Sequence, residues 1–200
     1  MASFMGFQYA TPLTVSSNQP EVVTDTLSLR RVVSSTDAQR WEMQIPLVPD
    51  AYGSANLVNT IQVHREMSGG HTAFAIAAPQ PLNTDPTFSG AISTLGAHTA
   101  GTSTVLIAGT ATFNIPAGRF ITFGSTGKLY RVTTTAVSSG GASTAINIFP
   151  ALVADVAGST ELVHTGVNMQ ARYENQGGLV SYTLNQGVVD RLTISVVEAL

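Results

Sequence analysis

Apolar and polar residues alternate one by one in several separate stretches of this chain. Trp41, Met43, Ile45 and Leu47 alternate with Glu42, Gln44 and Pro46, and Leu192, Ile194 and Val196 alternate with Thr193 and Ser195. The same pattern returns at 27–30, 73–76, 167–171 and 180–184. A period of two sends one set of side chains to a core and the other to water or an interface, which is the geometry of a half-buried strand. A mainly β fold is therefore expected. Pro46 has no amide to donate, so the strand that opens with Trp41 is expected at a sheet edge, or to end there. The stretch 29–45 reads as a strand, a polar turn and a returning strand, a hairpin whose lone tryptophan anchors the core.

One stretch departs from this period. Asp50 or Ser54 can cap a helix, Leu57, Val58, Ile61 and Arg65 recur near helical spacing, and Gly69-Gly70 supplies a stop. One short amphipathic helix over 53–67 is predicted, lying across a sheet and filling its core.

Between 79 and 166 the texture changes. Pro79, Pro81 and Pro86 mark a rigid exit, and short strands separated by Gly, Ser and Thr follow at 104–107, 119–123, 129–133 and 145–149. Gly-Ser-Thr-Gly at 124–127 lacks the spacing of a phosphate loop and reads as a hairpin turn. Such short, closely spaced strands describe a small β-barrel of OB- or SH3-like type. The longer alternation resumes after 166. The expected organisation is a discontinuous β domain, a β-sandwich or split barrel built from 1–80 and 165–200, carrying a small barrel at 88–160 as an insertion.

Surface chemistry narrows the function. Only 10% of the 200 residues are charged, against about 25% in an ordinary soluble domain. Thr, Ser, Asn, Gln and Gly stand in their place, which suits a protein that buries much of its outside against other subunits. Net charge is −3 and the basic residues are scattered, so no electrostatic case for nucleic-acid binding exists. No cysteine is present, which excludes disulfides, thiolate catalysis and Cys-ligated zinc. The N-terminal residues lack the pattern of a signal peptide and no apolar run is long enough to span a membrane, so assembly in the cytoplasm is expected.

No catalytic constellation emerges. His64, His71, His98 and His164 show no ligand spacing. The carboxylates sit in no apolar run that would raise their pKa for acid catalysis, and no Gly-x-Ser-x-Gly elbow occurs. The chain is read as a non-enzyme with no catalytic, cofactor-binding or metal residues. The candidate interaction surface comprises the adjacent pair Arg30 and Arg31 with Tyr130 and Tyr173. Phe149 is a further aromatic candidate, and core packing is the competing use of each aromatic.

Gln39-Arg40-Trp41-Glu42, followed by a short helix, resembles small tail-tip and baseplate proteins of tailed phages. The segments 117–123, 128–133 and 146–152, Ala-Gly-Arg-Phe-Ile-Thr-Phe, Lys-Leu-Tyr-Arg-Val-Thr and Ile-Asn-Ile-Phe-Pro-Ala-Leu, are similar to a β-barrel module of phage virion proteins. A first domain interrupted by a small barrel looks like the distal tail protein architecture. The resemblance implies a virion structural subunit without cofactor. It also implies a homo-oligomeric ring, commonly a hexamer, that joins the tail tube to the tip or baseplate proteins. Another virion position (tail tube, tail terminator or head decoration) and a carbohydrate-binding module remain as alternatives.

Overall fold

The structure is a computed structural model, and it describes residues 3–4, 7–8, 13–25, 31–35, 38–47, 72–79, 90–124, 127–139, 141–174, 184–185, 188–189 and 192–199. The predicted helix at 53–67, the alternating run at 27–30, and Arg30, His64 and His71 lie outside these residues. The fold is mainly β, with no helix among the described residues. Two compact units are present, one of residues 1–74 and 171–200 and the other of residues 75–170.

The first unit is organised by a sheet of strands Thr14–Asn18, Arg40–Leu47, Leu192–Glu198, Asn168–Tyr173 and Phe74–Ala77, in that order. The boundary between the units falls within the last two strands. The alternation seen in the sequence is what the sheet uses. Trp41, Met43 and Ile45 are buried, and the register sets Met43 opposite Val196 and Ile45 opposite Ile194, both also buried. Tyr173 joins this face opposite Val196, its ring 4.9 Å from that of Phe74. Glu198 is buried too, and its Oε2 accepts a hydrogen bond from the Trp41 amide at 3.3 Å.

Two expectations are corrected here. The Arg40–Leu47 strand is interior, flanked by Thr14–Asn18 and Leu192–Glu198. Pro46 is tolerated because the register with the first neighbour starts at Thr14 opposite Gln44, leaving Pro46 beyond it. Nor do Arg31–Ser35 and Arg40–Leu47 pair with each other as a hairpin: Arg31–Ser35 pairs with Glu21–Asp25, Val23 opposite Val33. The β-branched run Val22-Val23-Thr24 offers Val32-Val33 a partner of matching propensity. Thr14–Asn18 is the strand that pairs with Arg40–Leu47 on this side.

The second unit is a small barrel. Strands Leu162–Val163, Phe120–Phe123, Tyr130–Thr134, Thr144–Phe149, Thr104–Gly109 and Ile92–Thr94 form a six-stranded antiparallel sheet in that order. The sheet closes where its ends meet, through a bridge between Ser93 and Glu161. Thr94 fastens the seam: its amide donates to the Thr160 carbonyl at 2.9 Å, and its hydroxyl donates to the Ala157 carbonyl at 2.8 Å. The same hydroxyl accepts from the Thr160 amide at 3.0 Å. Closure removes the open edges that a six-stranded sheet would otherwise expose.

Inside the barrel pack Val105, Ile107, Ile121, Phe123, Val132, Ile146 and Ile148. A separate two-stranded ribbon, Phe113–Ile115 with Ala136–Ser138, adds Phe113, Ile115 and Ala136 to the same core. Phe120–Phe123 and Tyr130–Thr134, which lie on either side of 124–127 in the sequence, are antiparallel neighbours, and residues 125–126 lie outside the described ones.

Candidate functional site

Of the four residues singled out from sequence, Arg31, Tyr130 and Tyr173 are among the described ones. Arg31 is exposed and sits opposite Asp25 in the Glu21–Asp25 and Arg31–Ser35 ribbon, while Arg30 lies outside the described residues. Tyr130 is 3% exposed in the barrel core, its ring centroid 5.5 Å from that of Phe123 and its hydroxyl accepting from the Val153 amide at 3.3 Å. Tyr173 is 5% exposed in the first unit. Both rings are packing residues and neither is presented at the surface. The reason lies in the pleat: each faces the same way as the buried β-branched residues two positions or one strand away.

Phe149 is placed differently. It stands directly opposite Arg131 across the Tyr130–Thr134 and Thr144–Phe149 pair, and the two share one face of the sheet. Arg131 is exposed and Phe149 half-buried. Between Val132 and Thr134 the register shifts, a bulge centred on Thr133. A bulge adds a residue to one strand and re-aims its side chains. Thr133 is exposed beside Arg131.

These three residues line an open depression of about 480 Å³ together with Ala117, Gly118 and Val132. Its far wall is the turn 116–119. That turn is fixed by hydrogen bonds from the Gly118 amide to the Val132 carbonyl (2.7 Å), from the Val132 amide to the Arg119 carbonyl (2.8 Å) and from the Ala117 amide to Thr135 Oγ1 (3.1 Å). A Cβ built at Gly118 would lie 3.7 Å from Arg131 Nη2, so the guanidinium reaches over the turn. The depression thus combines a cation, a hydroxyl and an aromatic ring on a hydrogen-bonded frame.

Beneath it the frame is tied by Arg119, which is 5% exposed and donates from Nε (2.9 Å) and from Nη2 to the His164 carbonyl. Burial pulls the Arg119 pKa below its ordinary value, yet a guanidinium starts so high that it stays charged. His164 is also held below its ordinary pKa, first by burial and then by the Arg119 charge, with a hydrogen bond to Gly90 and the Glu161 carboxylate acting the other way. Lys128 is buried as well. Residues 75–170 contain three basic side chains, Arg119, Lys128 and Arg131. With two of them interior, Arg131 is the exposed cation of this unit among the described residues.

A smaller cleft of about 230 Å³ is lined by Thr122, Gly124, Gly127, Asn168 and Gln170 among others. It offers hydroxyl, amide and backbone groups and no charge. His98 accepts a hydrogen bond at Nε2 from the Leu106 amide at 3.3 Å. Among the described residues, no group of three or more His, Asp or Glu side chains could hold a metal ion.

Sequence reasoning quoted Arg131 only as part of a strand and named Phe149 only as one aromatic of three. The signal available was the alternation Tyr130-Arg131-Val132-Thr133, which sends Arg131 and Thr133 to the face opposite Tyr130 and Val132. No family model and no curated protein sequence matches the chain.

Proposed function

We propose that the chain is a structural subunit of a tailed-phage tail tip or baseplate. In this reading the part formed by 1–80 and 165–200 assembles head to tail into a ring of about six copies, joining the tail tube to the tip or baseplate. The observation that carries it is the Thr14–Asn18 strand. Among the described residues it stands at the end of its sheet, its side chains are mostly exposed, and none of its five residues is charged. A free-standing protein ordinarily protects an edge strand with lysine, proline or a covering segment. An uncharged edge of this kind suits pairing with another chain, main chain to main chain. The charge-poor composition of the whole chain, 10% charged, points the same way, since subunit contacts replace the charged surface of a soluble monomer.

The mass of the purified chain in solution, measured by light scattering over a range of concentrations, tests this. A discrete species near six times 20.9 kDa is expected. Open-ended growth with concentration would instead favour a tail-tube subunit that stacks in long arrays. A monomer at every concentration would count against ring assembly, and a ring mass retained on replacing Ser16 by lysine would count against assembly through this edge.

A further inference from the structure

We infer that the depression around Arg131 is a binding site for a carboxylate-bearing saccharide. The ligand class follows from what the walls offer. Arg131 supplies a planar fork of donors that matches a carboxylate in bidentate fashion. Phe149, directly opposite it and half-buried, lines the same depression and adds an aromatic group of the kind that packs against the C–H bonds of a sugar ring. Thr133, turned by the bulge, supplies a hydroxyl that can both donate to and accept from ring hydroxyls.

Three features make this more than an exposed arginine. First, the platform is rigid: Tyr130 and Val132 on either side of Arg131 are buried in the barrel, so the strand that carries it cannot shift without disturbing the core. Second, the opposing turn is held by three hydrogen bonds from backbone amides at 2.7, 2.8 and 3.1 Å, two to carbonyls and one to the Thr135 hydroxyl, and it presents only Ala117 and Gly118, which leave room. Sites held this way spend little ordering free energy on binding. Third, no carboxylate pairs with Arg131 among the described residues, and the other two basic side chains of the unit are interior. The space, about 480 Å³ and open to solvent, suits one or two sugar rings of a longer chain passing across the surface.

The inference stands apart from the ring reading: the barrel can bind saccharide whether or not the chain assembles, and a ring can form with the depression empty. Calorimetry on the full chain separates the two. The probes are tetragalacturonate, a hyaluronan tetrasaccharide and trisialic acid, each paired with its carboxyl-reduced, uncharged counterpart. At least one acidic probe is expected to bind. Its affinity is expected to fall about tenfold or more on carboxyl reduction and by a similar factor in Arg131→Gln. Thr133→Val serves as a second variant from the opposite chemistry and is expected to weaken the same probe, with an unchanged melting temperature in both proteins. Binding that is equal for acidic and reduced probes, or unchanged in Arg131→Gln, overturns the inference. So does the absence of binding by all three acidic probes, and so does competition by inorganic phosphate at equal strength, which would mark a generic anion contact.

Discussion

Arg119 donates two hydrogen bonds to a single acceptor, the carbonyl of His164, forty-five residues further along the chain. The arginine immediately precedes the Phe120–Phe123 strand and His164 follows the Leu162–Val163 strand, its partner in the barrel. Replacing it by methionine keeps much of the stem and removes every donor. A buried carbonyl left without its partner costs roughly 1–3 kcal/mol. Arg119→Met is therefore expected to lower the unfolding free energy by that amount, read as a lower urea midpoint at unchanged slope, and Arg119→Lys to recover only part of it, because an ammonium cannot reproduce the fork. An unchanged midpoint in Arg119→Met would show that the pair carries no stability.

His164 makes stability depend on pH with a definite sign. Its pKa in the folded chain is below the ordinary 6.5, so between that lower value and 6.5 the unfolded chain binds more protons than the folded one. The contribution is fully present above 6.5 and is lost as the pH falls through the folded pKa. Melting temperature is expected to decline on acidification below 6.5, and His164→Gln is expected to flatten that decline. Parallel pH profiles for the two proteins would contradict this assignment.

Trp41 lies at the head of the Arg40–Leu47 strand with 4% of its surface exposed. Truncating a buried large aromatic to alanine costs roughly 3–5 kcal/mol through lost burial and the cavity left behind. Trp41→Ala is expected to lose much of its folded population in chemical denaturation, and an intact melting curve would show that the ring is not core.

Gly127 and Gly101 make a matched pair. Both adopt positive φ, +70° and +85°, where a side chain is strained by about 1–2 kcal/mol. A Cβ at Gly101 meets nothing within 4 Å, whereas at Gly127 it would run into the side chain of Gln170, with Gln170 Cβ only 3.1 Å away. Gly127→Ala is expected to destabilise more than Gly101→Ala, and equal losses would mean that Gln170 moves aside freely.

The strands legible in the sequence are those long enough to repeat their period. Trp41, Met43 and Ile45, and Ile146 and Ile148, are buried on alternate positions as their spacing required. Ile92–Thr94 and Leu162–Val163 were not legible, because two or three residues cannot display an alternation. Thr14–Asn18 escaped for another reason: it holds one apolar residue, Val15, since an edge strand with mostly exposed side chains has little face to bury. Pairing was less legible than strand position. Arg31–Ser35 chose Glu21–Asp25 over the later strand, a contest between partners that periodicity does not record. The depression belongs to this second kind. The alternation of Tyr130-Arg131-Val132-Thr133 places Arg131 and Thr133 on one face, but Arg131 meets Phe149 through register, and that pairing is not written in the local order of residues.

Near its two ends the second unit is tied to itself: the Ala78 amide donates to the Val167 carbonyl at 2.8 Å, so the points where the chain enters and leaves are adjacent. A segment whose ends touch imposes no span on whatever flanks it. Such a segment can be excised, duplicated or moved into another gene by recombination at two sites, and the receiving fold need open only a single tight turn to accept it.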